Sequence, residues 1–212
     1  MMTHTDFTAH NAARWPTLRL TLSAKALAQL ARQIQYGGRL PVGGDESRTV
    51  REFMVGALGL GADYVESRVA TVFLDGRAVD DLDAQRVRPG SCLSLSAAMP
   101  GVAGIVMRRS SPFKRMRALE LFEEKEACEG SDAPGLVEIK LFNFIAVEGG
   151  PVLLARGLGL AAKRLADLLG DGDFASGVAG AELDGKALDA ASLARALPAE
   201  SGAMVLVTVR EP

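Results

Sequence analysis

The sequence predicts an α+β protein made of two tandem units, each a mixed sheet packed on one main helix. Three observations carry this. Leu18-Arg19-Leu20-Thr21-Leu22 and Val137-Glu138-Ile139-Lys140-Leu141 alternate apolar and polar residues at period two, the pattern of a strand with one buried face. Helix-forming stretches lie between such runs, at residues 26–31 and 161–169. Finally, Leu74-Asp75-Gly76-Arg77-Ala78-Val79-Asp80 returns as Leu183-Asp184-Gly185-Lys186-Ala187-Leu188-Asp189, which suggests two copies of one unit.

At 212 residues the chain is long enough for two small domains, since domains commonly run to roughly 100 to 150 residues. The expected organisation is a flexible arm at 1–14, unit one at 15–104, a charged linker or connecting helix at 105–136, and unit two at 137–212. Hydrophobic residues make up 48% and charged residues 24%, which leaves apolar material for a core in each unit. Twenty-four basic residues against 26 acidic ones give no global positive field, so neither nucleic acid nor a membrane is expected as a partner. Residues 1–18 lack the basic region and apolar run of a secretory leader, and nothing reaches the ~20 apolar residues of a span. A cytoplasmic location is expected. Cys92 and Cys128 form no disulfide framework and read as two reduced thiols, with Cys92 filling the core.

In unit one, strand 18–22 leads into helical residues 26–31. Proline in Arg39-Leu40-Pro41-Val42 argues for a brief edge strand. Thr49 with Glu52 predicts a capping box opening a helix whose Val50, Phe53, Met54 and Ala57 share one face. Asp75-Gly76 suits the positive φ values of a two-residue hairpin connection. Val87-Arg88-Pro89-Gly90 then turns the chain into a last strand at 92–95.

The connector is basic first (Arg108, Arg109, Lys114, Arg115, Arg117) and acidic afterwards (Glu120, Glu123, Glu124, Glu126, Glu129, Asp132). Phe113, Met116 and Leu119 have helical spacing, so a connecting helix from about Pro112 to Ala127 is expected. In unit two Gly150-Pro151 predicts a helix start, residues 170–173 a flexible insertion, residues 190–196 a helix, and residues 204–209 the closing strand.

Taken together, the strand at 18–22, the helix at 49–58, the hairpin at 72–79, Arg88-Pro89-Gly90-Ser91-Cys92-Leu93-Ser94-Leu95 and Met99-Pro100-Gly101-Val102-Ala103-Gly104 resemble a known family. It is the β-grasp (ubiquitin-like) fold, as in the small sulfur-carrier proteins of molybdopterin and thiamine synthesis. The resemblance covers residues 15–104, with a weaker copy at 137–209, and implies tandem sheets of four or five strands clasping one helix. In that family a Gly-Gly end is adenylated and converted to a thiocarboxylate. Here Val102-Ala103 separate Gly101 from Gly104, and the chain continues to Val209-Arg210-Glu211-Pro212.

Catalytic constellations are sparse. His4 and His10 both fall in the arm, without companions at metal-ligand spacing. Gly157-Leu158-Gly159-Leu160-Ala161-Ala162 satisfies G-x-G-x-x-A, yet helix-ending glycines explain it better. Asp75, Asp80, Asp81 and Asp83 read as turn formers.

The expectation is therefore a non-catalytic protein-interaction or ligand-binding module with no catalytic, metal or cofactor residues and no cofactor. Its partner is expected to be a protein, met by the exposed sheet face and by Met99, Pro100, Gly101, Gly104, Arg108 and Arg109. A homodimer by strand addition at a sheet edge is a further expectation. Two alternatives stand beside it: a sulfur carrier or protein modifier released by proteolysis near Gly101 to Gly104, and a nucleotide-binding enzyme using the Gly157 to Ala162 loop.

Overall fold

The computed structural model describes residues 15–43, 47–118 and 135–210. The arm at 1–14, Cys128 and the connecting helix beyond Ala118 lie outside the described residues. Strand β1 (Thr17–Leu22) buries Leu18, Leu20 and Leu22 and turns Arg19 outward. Ser23 caps α1 (Ala24–Arg32), and a 3-10 turn ends at Gly37, φ 105°, before β2 (Gly38–Pro41). After β3 (Arg48–Thr49), Thr49 and Glu52 form the expected reciprocal capping box. It opens α2 (Val50–Glu52), which widens into a π turn at Phe53–Ala57 while Val50, Phe53, Met54 and Ala57 all stay buried. There follow α3 (Ala62–Ser67), β4 (Thr71–Leu74), β5 (Arg77–Ala78), β6 (Arg86–Val87) and β7 (Cys92–Ser96). Beyond β7 the chain does not extend as a tail; it forms α4 (Gly101–Met107) and a 3-10 turn at Lys114–Ala118.

The second half begins with β8 (Leu136–Phe142) and α5 (Asn143–Arg156). This helix starts seven residues before the expected Gly150-Pro151 and carries Pro151 inside it. Asn143, at φ 53°, makes the abrupt strand-to-helix turn and donates from Nδ2 to Ser96 Oγ at 3.0 Å. Then come β9 (Leu158–Ala161), α6 (Ala162–Leu169) and α7 (Gly172–Ser176). The supposed flexible insertion is thus a helix start, because the Asp171 side chain accepts from the Asp173 and Phe174 amides. β10 (Val178–Leu183), β11 (Lys186–Ala187), α8 (Ala190–Ala196) and β12 (Met204–Arg210) complete the chain.

The halves share an element order of strand, helix, strand, helix, hairpin and strand. Their special backbone positions match as well. The hairpin turns have φ 51° and 78° at Asp75-Gly76 and 49° and 81° at Asp184-Gly185. Gly37 and Gly157, at φ 105° and 100°, end the helical segments that precede β2 and β9.

The strands nevertheless do not sort into one sheet per half. Among the described residues the main sheet has ten strands in the order β11-β10-β1-β12-β9-β2-β8-β7-β4-β5, with β3 and β6 paired separately. β1 lies between β10, antiparallel, and β12, parallel, with Leu18 opposite Leu183 and Val207. β8 lies between β2, antiparallel, and β7, parallel, with Ile139 opposite Gly38 and Leu93. Each half has given its first strand to the other. Alternation specifies that a strand has one buried face; it leaves the identity of the neighbours open.

β2 is also not at an edge. Odd-numbered amides of β2 point toward β9, where the only register pair is Arg39 with Gly159, so the missing N–H of Pro41 breaks no ladder bond. The true edges, β5 and β11, are two-residue strands and offer little template for strand addition.

A single apolar cluster takes Leu18, Leu20, Leu22, Val72, Leu93, Leu95, Val137, Ile139, Leu141, Val205, Val207 and Val209 from the sheet and Leu30, Met54, Leu154 and Leu165 from the helical layer. α1 crosses α5 closely at Gly150, where a Cβ would stand 2.8 Å from that of Ala31.

Candidate partner-binding surface

Among the described residues two surfaces stand out for binding: one end of the sheet, built from α4 and the 3-10 turn, and the sheet face opposite the core. At the sheet end, Pro100 caps α4 and Gly101 takes φ 81°. Gly104 is buried, and a Cβ there would run into the Met99 carbonyl, so its glycine serves close packing. Of the residues the sequence proposed, Pro100, Gly101 and Arg108 are exposed and Met99 is half-buried.

Arg109 is committed internally. Its Nε and Nη2 donate to the Val69 and Val65 carbonyls, each at 3.1 Å, satisfying groups at the C-terminal end of α3, and Nη2 lies 3.6 Å from Glu66. Arg117, which sequence reasoning saw only as part of a basic run, acts in the same way. It donates to the Val106 and Arg108 carbonyls at 2.7 Å and to Asp80 Oδ2 at 2.9 Å. These two arginines hold α4 and the 3-10 turn against the hairpin and α3. What they hold outward are Val102, Ile105, Phe113 and Met116, all exposed, and Phe144 is exposed at the same end of the sheet. The sequence signals were the three-residue spacings of Val102 with Ile105 and of Phe113 with Met116; nothing local joined Phe144 to them.

On the face opposite the core, the charged strand residues of the other parity stay half-buried or exposed, while Thr71, Cys92, Ser96 and Met204 of that parity are buried. Arg19 reaches Glu182 across β1 and β10 at 3.8 Å. Arg39 stands opposite Glu138, and Lys140 opposite Ser94, which in turn is opposite Phe73. Trp15 lies over Gly159, where a Cβ would meet its ring. A shallow depression of about 310 Å³ is lined by Thr17, Arg19, Asp184 and Gly185, but Asp184 Oδ1 is spent on the Thr17 amide at 2.8 Å. Cys92 belongs to this face too. It is disulfide-bonded, a correction to the reduced thiol expected from the sequence, where two scattered cysteines carry no sign of a bond.

The titrating groups are arranged for support. Arg51 meets Glu66 and Asp83, and Arg68 meets Glu148. Hydrogen bonds from these arginines hold the Glu66 and Glu148 carboxyls below the usual carboxylate range. Burial, and then the neighbouring Glu148 carboxylate, push the Tyr64 phenol up. Carboxylates held ionised by arginine and a phenol held protonated are poor proton shuttles near neutral pH. Among the described residues no group of three or more His, Cys, Asp or Glu is placed to hold a metal ion; both histidines lie outside them. The G-x-G-x-x-A stretch runs from a helix end at Gly157 through β9 into α6, the reverse of the strand, turn and helix of a dinucleotide loop. No helix among the described residues is long and apolar enough to cross a membrane.

The chain matches no protein-family model, no curated protein and no solved structure.

Proposed function

We propose that the chain is a non-catalytic protein-binding module, built as two β-grasp units that have exchanged their first strands. Two groups of five strands support the fold reading. In β2-β8-β7-β4-β5 and in β9-β12-β1-β10-β11, a parallel central pair is flanked by a hairpin on one side and an antiparallel strand on the other. A helix between the first and second strands of each half departs from the β-grasp order.

The observation that carries the binding reading is the division of strand residues by parity. One parity goes into a single core, while Arg19, Arg39, Glu138, Lys140 and Glu182 remain half-buried or exposed on the other face. That face presents both signs of charge on a rigid sheet, which suits a polar protein surface. The test compares wild type with the Arg19→Glu, Arg39→Glu, Lys140→Glu triple variant in affinity capture from native cells, with circular dichroism to match the folds. The wild type is expected to retain partners that the variant loses; an identical captured set with both proteins folded would refute the reading. A thermal shift with nucleotides would favour the nucleotide-binding alternative, and a cleaved mass in native cells would favour the processed carrier.

A further inference from the structure

We propose that the end of the sheet carrying α4 and the 3-10 turn docks on an anionic lipid surface, through Val102, Ile105, Phe113, Met116 and Phe144 with Arg108, Lys114 and Arg115. This goes beyond the protein-binding reading and uses a different surface. Eight large apolar side chains are exposed among the described residues, and five of them lie on elements that follow the C-terminal ends of β7 and β8. The C-terminal ends of the parallel pair β7 and β8 bring them there: Ser96 is opposite Phe142, α4 follows β7, and Phe144 lies in the first turn of α5. A concentration of exposed apolar side chains at one end of a folded protein marks a contact surface.

The chemistry of the occupant follows from two features. The first is charge. Arg109 and Arg117 are consumed by internal bonds, but Arg108, Lys114 and Arg115 meet no carboxylate among the described residues. Three cations beside exposed apolar side chains call for an anionic surface with an apolar layer beneath it. A second copy of this chain would set the same cations against one another, which disfavours a symmetric contact. The second feature is shape. Val102 is 72% exposed and Phe144 67%, so both stand well out of the surface. Acyl chains accept projecting side chains without complementarity, whereas a protein partner must supply a pocket for each. The bonds of Arg109 and Arg117 anchor α4 and the 3-10 turn, which carry Val102, Ile105, Phe113 and Met116. With a net charge of −2 the whole protein has no general attraction to anionic lipid, and any adhesion must come from a local patch.

The experiment is flotation of the full chain with phosphatidylcholine vesicles, with and without phosphatidylglycerol. Retention at low salt is expected to be about tenfold higher with phosphatidylglycerol and to fall as salt is raised. The Val102→Asp, Ile105→Asp pair and the Lys114→Glu, Arg115→Glu pair should each cut retention about tenfold while their circular dichroism matches wild type. The Arg19, Arg39, Lys140 triple variant should still bind, which keeps the two proposals separable. No retention on phosphatidylglycerol vesicles at low salt would overturn the proposal. So would retention that survives both pairs of substitutions, or a protein partner lost with the Val102, Ile105 pair when neither vesicle binds.

Discussion

In the first half the hairpin β4–β5 pairs with β7, the last strand of the same half; in the second half the hairpin β10–β11 pairs with β1, borrowed from the first. The last strand of the second half, β12, instead stands between the borrowed β1 and β9. The two halves thus share a common order of main elements and trade the positions of their central strands. The trade is tolerated because β1 and β12 have the same needs. Leu18, Leu20 and Leu22 in one, and Val205, Val207 and Val209 in the other, bury one face, and the two strands run parallel. Either order puts apolar side chains into the same core and preserves the ladder on both edges.

The largest consequence of this comparison is that neither half should fold alone. Without its borrowed strand the second half loses three buried leucines worth about 2 kcal/mol each, along with two ladders, against a total stability on the order of 10 kcal/mol. Residues 1–134 and 135–212 produced separately should show no cooperative urea transition, and mixing should restore one. A cooperative transition in either piece alone would mean that its strands can pair without exchange.

A smaller effect should follow at the helical crossing between the halves. Ala31 of the first half meets Gly150 of the second, and Gly150→Ala would set its Cβ 2.8 Å from that of Ala31. A loss of about 2 kcal/mol in urea unfolding is expected from such overpacking. Gly149→Ala, whose nearest neighbour is the Leu60 side chain at 3.2 Å, should cost less; equal costs would show that α1 and α5 yield without strain.

The smallest effect concerns pH. Arg68 of the first half holds Glu148 of the second below its ordinary range, and Arg51 does the same for Glu66 within the first half. A carboxylate whose folded value lies below its unfolded value, about 4.3 for glutamate, stabilises the fold above that value. That stabilisation is lost as pH falls through the folded value. The melting temperature should therefore hold steady from neutrality to about pH 5 and decline below about pH 4. Glu148→Gln should flatten part of that decline, and a decline unchanged in the variant would remove the Arg68 bond from the inter-half contacts that matter.

Local features were legible wherever a few adjacent residues made their own physics. The Asp-Gly turns at 75–76 and 184–185 have the positive φ values their residue types favour, and Thr49 with Glu52 closes its box within four residues. Misreadings arose where a neighbour overrode propensity. Gly150-Pro151 suggests a helix start in isolation, but the helix begins at Asn143 because that side chain binds Ser96 of β7. Pro41 suggests an edge, yet β2 is central because its missing donor faces the side where the β9 ladder has ended. Of the site residues read from the sequence, Arg109 turned out to be bound to α3, while Phe144, 35 residues further along than Arg109, joined the exposed apolar side chains through strand pairing alone.

By itself the sequence determined the alternating strands β1 and β8 with their apolar faces, the capping box and the two matching Asp-Gly hairpin turns, since these depend on residue spacing and on turn chemistry within a few positions. Only the tertiary structure decided that the first strands change places, that one core serves both halves, and that five distant apolar side chains share one end of the sheet. A strand specifies its buried face through its own side chains, but its hydrogen-bonding edges are the same backbone everywhere, so the choice of neighbour is settled by the packing of the whole chain.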